Sequence, residues 1–255
     1  MSHLEKISTS VVAITSGWGH GNVGGIALDN FVVVVDTTNS PERGKEFRNK
    51  LDERFDVPVK YTFLTHHHSD HATGLNAFSD TTVISHKQTA KKIRSLTRIN
   101  TYPSVVFDTD YMIRDQDSLV ELYHTGGHTS DSSYLHFPHD RVIFAGDLIM
   151  EGFLPFAGYQ SNPHNWINAF NQIKKLRPKL IVPGHGPVLR SVGALDKHIT
   201  LISNMIDILQ TASKERMDPR TTEIPKFVYN ASTCVSDEEL EKWFRRTAIS
   251  WIRRV

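Results

Sequence analysis

The chain has 255 residues, of which 39% are hydrophobic and 22% charged, with a formal net charge of +1 at pH 7. This is ordinary globular composition on a chain long enough to bury a core, so disorder is excluded and there is no electrostatic case for nucleic acid or an anionic membrane. A single cysteine, Cys234, excludes an internal disulfide, the opening MSHLEKISTS lacks the apolar stretch of a secretory signal, and no apolar run approaches a membrane span, so a soluble, cytoplasmic protein is expected.

In chain order, the β-branched runs SVVAIT (10–15) and FVVVVD (31–36) predict buried strands. Between them GHGNVG (19–24) matches the dinucleotide fingerprint G-x-G-x-x-G. That motif must open a helix, whereas here strand-like GIALDNFVVVVD follows. It therefore reads as a hairpin loop whose glycines permit close approach to a ligand at the border of the active site. SPERGKEFRNKLDERF predicts a helix with Ser40 as N-cap and Pro41 in its first position.

The strand predicted for VKYTFLT (59–65) leads into THHHSDH (65–71). In extended backbone, positions i and i+2 point to the same side, so His66 and His68 aim at one point while His67 turns away. The strand is expected to end at Ser69, with Asp70 and His71 on a turn into ATGLNAF, a helix start. TTVISH, SLVELYH, SSYLHF and RVIFAGD are further strands. NPHNWINAFNQIKKL is a helix capped by Asn162 with Pro163 just inside, and KLIVPGHG is a short strand running into a tight turn. After Leu189 the pattern becomes two amphipathic helices, near 195–213 and 237–252. The expected organisation is a catalytic core at 1–190 and a helical extension at 191–255 packed on it. Hairpins mixed with helices point to a layered α/β fold.

Three further ligand types stand on turns or strand ends: His128 in TGGHTSDS, Asp147 in FAGDL and His185 in VPGHGP. Rigid sheets present catalytic groups in this way. Together, His66, His68, Asp70, His71, His128, Asp147 and His185 form a constellation of nitrogen and oxygen donors.

THHHSDH, GGHT, GD and PGHG, in this order and at these separations, resemble the metallo-β-lactamase superfamily across Val11 to Pro187. The resemblance implies an αβ/βα four-layer sandwich with a dinuclear site at one edge. By its pattern His66, His68 and His128 bind a first metal, Asp70, His71 and His185 a second, and Asp147 bridges them. One large group of metallo-β-lactamases has cysteine at the bridging position. Asp147 instead resembles glyoxalase II, the lactonases and related hydrolases. The glycine–cysteine–arginine stretch of glyoxalase II is absent from GDLIMEGFLPFAGY, and Met150 stands near where lactonases often carry tyrosine.

Two divalent ions sharing a hydroxide supply a nucleophile at neutral pH without Ser or Cys. The expected activity is therefore hydrolysis of a small ester-like bond: thioester, lactone or β-lactam. Asp70 would orient the hydroxide as well as bind. Zinc is the first expectation, with iron or manganese as alternatives, because no thiolate is present to favour zinc. Two other readings remain open. One is a mononuclear iron oxygenase similar to persulfide dioxygenases, using His66, His128 and Asp147; the other is a phosphodiester hydrolase acting on nucleotides. Trp18, His20, Phe153, Phe156 and Tyr159 are candidates to line the substrate groove. The partner expected is a small-molecule substrate, with no nucleic acid or membrane and with homo-oligomerisation open. His67, His86, His124 and His164 read as solvated or core-edge histidines, and the C-terminal arginine pairs as a solvated helix face.

Overall fold

A computed structural model describes residues 3–15, 20–97, 99–155, 158, 160–218, 221, 223–230 and 235–255. Its first sheet has seven strands in chain order: β1 (Glu5–Lys6), β2 (Val11–Ile14), β3 (Val23–Ala27), β4 (Val32–Val35), β5 (Val59–Leu64), β6 (Thr82–His86) and β7 (Val105–Phe107). Strands β1 to β4 form an antiparallel meander, and β4 to β7 are parallel. Parallel neighbours need crossovers. These are α1 (Pro41–Arg54), then α2 (Ser69–Ala72) with the 3-10 turn Thr73–Phe78, then α3 (Lys87–Ile93).

The second sheet contains β8 (Asp110–Asp115), β9 (Ser118–His124), β10 (Ser133–Phe137), β11 (Val142–Met150) and β12 (Leu180–His185), in the order β12-β11-β10-β9-β8. Its pairs are antiparallel except β11 with β12, which α4 (Pro163–Lys175) connects. Then come α5 (Ala194–Lys214), α6 (Lys226–Tyr229) and α7 (Asp237–Trp251).

The valine run of β4 shows how the layers arise. Val33 and Val35 face the core between the sheets, with Phe63, Leu122, Leu135 and Phe144. Val32 and Val34, on the opposite face, pack with Phe47 and Leu51 of α1. A strand buried on both faces needs no polar alternation. Outside the second sheet, Ile143, Ala145 and Ile149 share one apolar cluster with Trp166 and Phe170 of α4, Ile202 and Met205 of α5, and Phe244 and Trp251 of α7. Helix, sheet, sheet and helix make the αβ/βα sandwich. Among the described residues, no helix is long and apolar enough to cross a membrane.

Both foreseen caps form: Arg43 N–H donates to Ser40 Oγ (3.2 Å) and Asn165 N–H to Asn162 Oδ1 (3.0 Å). Two boundaries differ from expectation. β5 ends at Leu64, ahead of the histidines, and β11 continues past Asp147 to Met150. The edge strand β8 (DYMIRD) was not foreseen, because its alternation is carried by charged residues that keep the sheet edge polar. Arg254 departs from the solvated-face expectation, since its guanidinium donates to Ser161 O.

Candidate metal centre

The seven candidate ligands converge at one edge of the sandwich, from the segment after β5, the turn between β9 and β10, the interior of β11 and the last residue of β12. They form two groups that share Asp147: His66, His68, His128 and Asp147, and Asp70, His71, His185 and Asp147. Asp147 Oδ2 lies 3.5 Å from His66 Nε2 and 3.4 Å from His128 Nε2. Its Oδ1 lies 3.0 Å from His71 Nε2 and 3.3 Å from His185 Nε2. His68 joins the first group through Nδ1, 3.0 Å from His128 Nε2. Asp70 Oδ2 joins the second, 3.2 Å from His185 Nε2.

The convergence of His66 and His68 does not come from strand alternation as expected. β5 has already ended, and His66 to His68 lie in the bend before α2, with His68 at the extended position preceding that helix. What fixes them is Thr65. Its N–H donates to Asp36 Oδ1 and its hydroxyl to Asp36 Oδ2, both at 2.8 Å, while its carbonyl accepts from Ser133 N–H of the second sheet (2.9 Å). His67 turns away, as foreseen, but is anchored: Nδ1 lies 2.9 Å from Asp131 Oδ1. Asp131 is fully buried and also accepts from Lys92 Nζ (2.7 Å) and Thr89 Oγ1 (2.9 Å).

Asp147 lies inside β11, where the pairing with β12 shifts register on both sides of Gly146, and Gly146 has φ +52. Such an irregularity re-aims the next side chain. His128 is delivered by Gly126 and Gly127, both at positive φ, and its ring packs on Trp166 at a centroid distance of 5.5 Å. The His185 turn is clamped by Asn22, whose amide donates to Pro183 O (2.8 Å) and Gly186 O (2.9 Å). This puts the described part of the glycine loop at the site: a Cβ on Gly21 would sit 2.6 Å from His71 Cε1.

Asp36 has no signature in the sequence, where it only closes a valine run. It sits at φ +58, buried, and accepts from His71 Nδ1 at 2.8 Å. That bond commits the His71 proton to Nδ1 and leaves Nε2 to face Asp147. His66 Nδ1 contacts Thr65 Oγ1 at 3.1 Å, with the same effect on His66 Nε2. Asn22 and Asp131 were missed for the same reason: each is a single polar residue that acts through another.

The two halves differ electrostatically. Burial and the neighbouring His66 and His128 hold His68 well below the usual imidazole range, and burial pushes His128 down to about 4. Around the second half, burial opposes charge, yet Asp147 and Asp70 raise His71 well above its usual range and His185 to about 9. Asp147 is held low against burial by His71, His185 and His66.

These residues suit divalent cations. His66 Nε2, His71 Nε2 and Asp147 Oδ1 are buried without a hydrogen-bond partner. Buried polar atoms are normally satisfied, and imidazole nitrogens aimed at a shared carboxylate are what a cation would satisfy.

Of the candidate groove residues, Trp18, Phe156 and Tyr159 lie outside the described residues. His20 is set back against α1, with Nδ1 2.7 Å from Asn39 Nδ2 and Nε2 3.4 Å from Arg43 Nη1. Phe153 is 2% exposed and places its ring 6.2 Å from the His185 ring. His86 and His124 stack on each other at 3.6 Å, while His164 is exposed.

Comparison with known proteins agrees with this geometry. Residues 16–185 match the family described as the metallo-beta-lactamase superfamily. The chain belongs to the metallo-beta-lactamase superfamily. It is 28% identical over 213 residues to a beta-lactamase-like protein 2 homolog of Caenorhabditis elegans, covering 78% of this chain and 70% of that protein. It is 27% identical over 161 residues to a metallo-beta-lactamase type 2 of Elizabethkingia meningoseptica, covering 60% of this chain and 64% of the relative. A metallo-beta-lactamase structure from Pontibacter korlensis superposes with a TM-score of 0.71 at 24% identity, over 80% of this chain and all of that one, which is a likeness of fold. Superfamily membership places the chain among metal-dependent hydrolases.

Proposed function

We propose that this protein is a dinuclear metal hydrolase that cleaves a small ester-like bond: a thioester, a lactone or a β-lactam. The observation that carries the reading is the orientation of Asp147, whose two carboxylate oxygens face separate ligand sets. A carboxylate satisfied by one ion would not need its second oxygen buried toward two more imidazoles.

In this reading His66, His68 and His128 hold the first ion, Asp70, His71 and His185 the second, and Asp147 both. Zinc is the metal we favour, with iron or manganese also compatible with nitrogen and oxygen donors. Bound there, the ions supply a water that is nucleophilic at neutral pH and an electrophile for the substrate carbonyl oxygen. The chain's own residues do the rest. Asp70, 26% exposed on its side chain, is the most open carboxylate of the set and can hold the attacking water by a hydrogen bond. Asp36 and Thr65 keep the ring nitrogens of His71 and His66 pointed inward. The near-neutral chain favours a small-molecule substrate over a polyanion.

The test is hydrolysis of a thioester, a lactone, a β-lactam and a phosphodiester by zinc-loaded protein, each with a chelator control. Chelator-sensitive turnover of one of the first three names the bond. Turnover of the phosphodiester alone, or oxygen uptake by iron-loaded protein without any hydrolysis, would refute the reading.

A further inference from the structure

A cavity of about 640 Å³ lies beside the metal centre. Its near wall is Glu151 to Phe153, the turn that follows β11, and its far walls are the first half of α5 and Phe227 of α6. The volume falls in the range of small-molecule sites, about 300–1,000 Å³.

The near wall belongs to both the cavity and the metal centre. Glu151 N–H donates to His185 O at 2.9 Å. Gly186 sits at φ +88, and a Cβ there would meet Glu151 O at 2.3 Å, so the His185 turn lies directly against the cavity wall. The Phe153 ring faces the His185 ring on one side, and Phe153 lines the cavity. Phe153, 2% exposed, and the Glu151 backbone are therefore the wall that His185 shares with this space.

The lining defines what such a group can be. The Glu151 carboxylate accepts from His198 Nε2 at 3.0 Å and is held below its usual range chiefly by that bond, with Lys197 contributing. Asp196 is paired with Lys174 of α4. One carboxylate against one ammonium leaves no surplus charge to recruit an ion. The remaining surface is dominated by Phe153, Leu201 and Phe227, with the amide of Asn204 as a neutral polar contact. Apolar walls with a few neutral polar groups hold uncharged chains or rings.

We propose that this cavity receives the non-reacting part of the substrate, and that this part is an uncharged, predominantly apolar acyl chain or ring. The proposal rests on the hydrolase reading above and adds the substrate's chemistry to it.

The experiment uses the full, zinc-loaded chain in two measurements. The first is calorimetric titration with hexyl methyl ketone, which carries a carbonyl and an apolar chain but no bond to hydrolyse. The second is the ratio of kcat/KM for an octanoyl thioester to that for the acetyl thioester. Two variants, Asn204→Trp and Thr200→Trp, each place an indole in the cavity from α5; Thr200 is exposed, so the second tolerates substitution if the first does not. The ketone is expected to bind the native chain with a negative heat-capacity change. Both its affinity and the octanoyl-to-acetyl ratio are expected to fall roughly ten-fold or more in the variants. A ratio and a ketone affinity unchanged in both variants, with both thioesters turned over, would overturn the cavity assignment and leave the hydrolase reading standing. Ketone binding that the variants abolish, in a protein that turns over neither thioester, would keep the cavity as an apolar site and remove the thioester, leaving lactone and β-lactam, from the hydrolase reading. A native chain that neither binds the ketone nor prefers the longer acyl group overturns the proposal outright.

Discussion

Gly184 and Asp147 touch so closely that no other residue fits at position 184: a Cβ there would lie 2.1 Å from Asp147 Oδ1. The glycine before His185 is thus a spatial requirement of the carboxylate that faces both ligand sets. Gly184→Ala should displace Asp147 and lower catalytic efficiency by about 10²-fold, the usual consequence of moving a reacting group by an ångström. Metal content and kcat/KM measured on the same preparation check this. Unchanged values of both would mean that Asp147 does not hold the metals.

Asp36 makes no contact with substrate or metal in this account, yet it sets the His71 ring. Asp36→Asn keeps the size but replaces a carboxylate oxygen that accepts from both His71 Nδ1 and Thr65 Oγ1. Zinc affinity, measured by competition with a chelating dye, should weaken about 10- to 100-fold. An affinity equal to that of the native chain would show that the ring is held by packing alone.

Asp131 is a stability prediction. Its carboxylate is fully buried and held far below the usual range against burial, by His67 first and by Lys92. Asp131→Ala removes the buried carboxylate that His67, Lys92 and Thr89 share and should cost about 3 kcal/mol. Urea unfolding of the metal-free chain should show a lower midpoint at unchanged slope. A shift of a few tenths of a kcal/mol would mean that solvent replaces the carboxylate.

His86 carries a pH dependence away from the candidate metal ligands. It is 1% exposed, and burial together with His124 stacked on it lowers its pKa from 6.5 to about 4. Between these two values the unfolded chain binds a proton that the folded chain does not, so stability rises with pH across that interval. Acidification from pH 6.5 towards 4 should therefore destabilise the fold, by on the order of 1–3 kcal/mol from this group. His86→Phe should flatten that part of the profile, as read by thermal midpoints at a series of pH values. An unaltered slope would assign the acid sensitivity to other groups.

The cluster of candidate ligands was legible in the sequence for a chemical reason. Histidine and aspartate at strand ends, spaced as in THHHSDH and followed by GGHT, GD and PGHG, are residue types that suit metal binding. The sandwich was legible through the same resemblance and through doubly buried runs such as VVVV. The path from chain to geometry was less so. Strand alternation does not aim His66 and His68, because β5 stops at Leu64 and hydrogen bonds from Thr65 to Asp36 take over. Asp36, Asn22 and Asp131 carry no local signature, since each acts on a segment at least 29 residues away or more. Long-range partners of that kind emerge only when the sheets are brought together. The cavity beside His185 was invisible for the same reason, because its walls come from the turn after β11 and from two helices of the C-terminal region.

In the proposed hydrolase, Asp147 joins two metal sites in one chain. The most direct test is the zinc content of the full chain after loading and removal of free metal, for the native protein and for Asp147→Ala. Two equivalents are expected in the native chain and a loss from both halves in the variant, because each candidate ligand group includes this carboxylate. A single equivalent in the native chain, or two equivalents that survive Asp147→Ala, would contradict it.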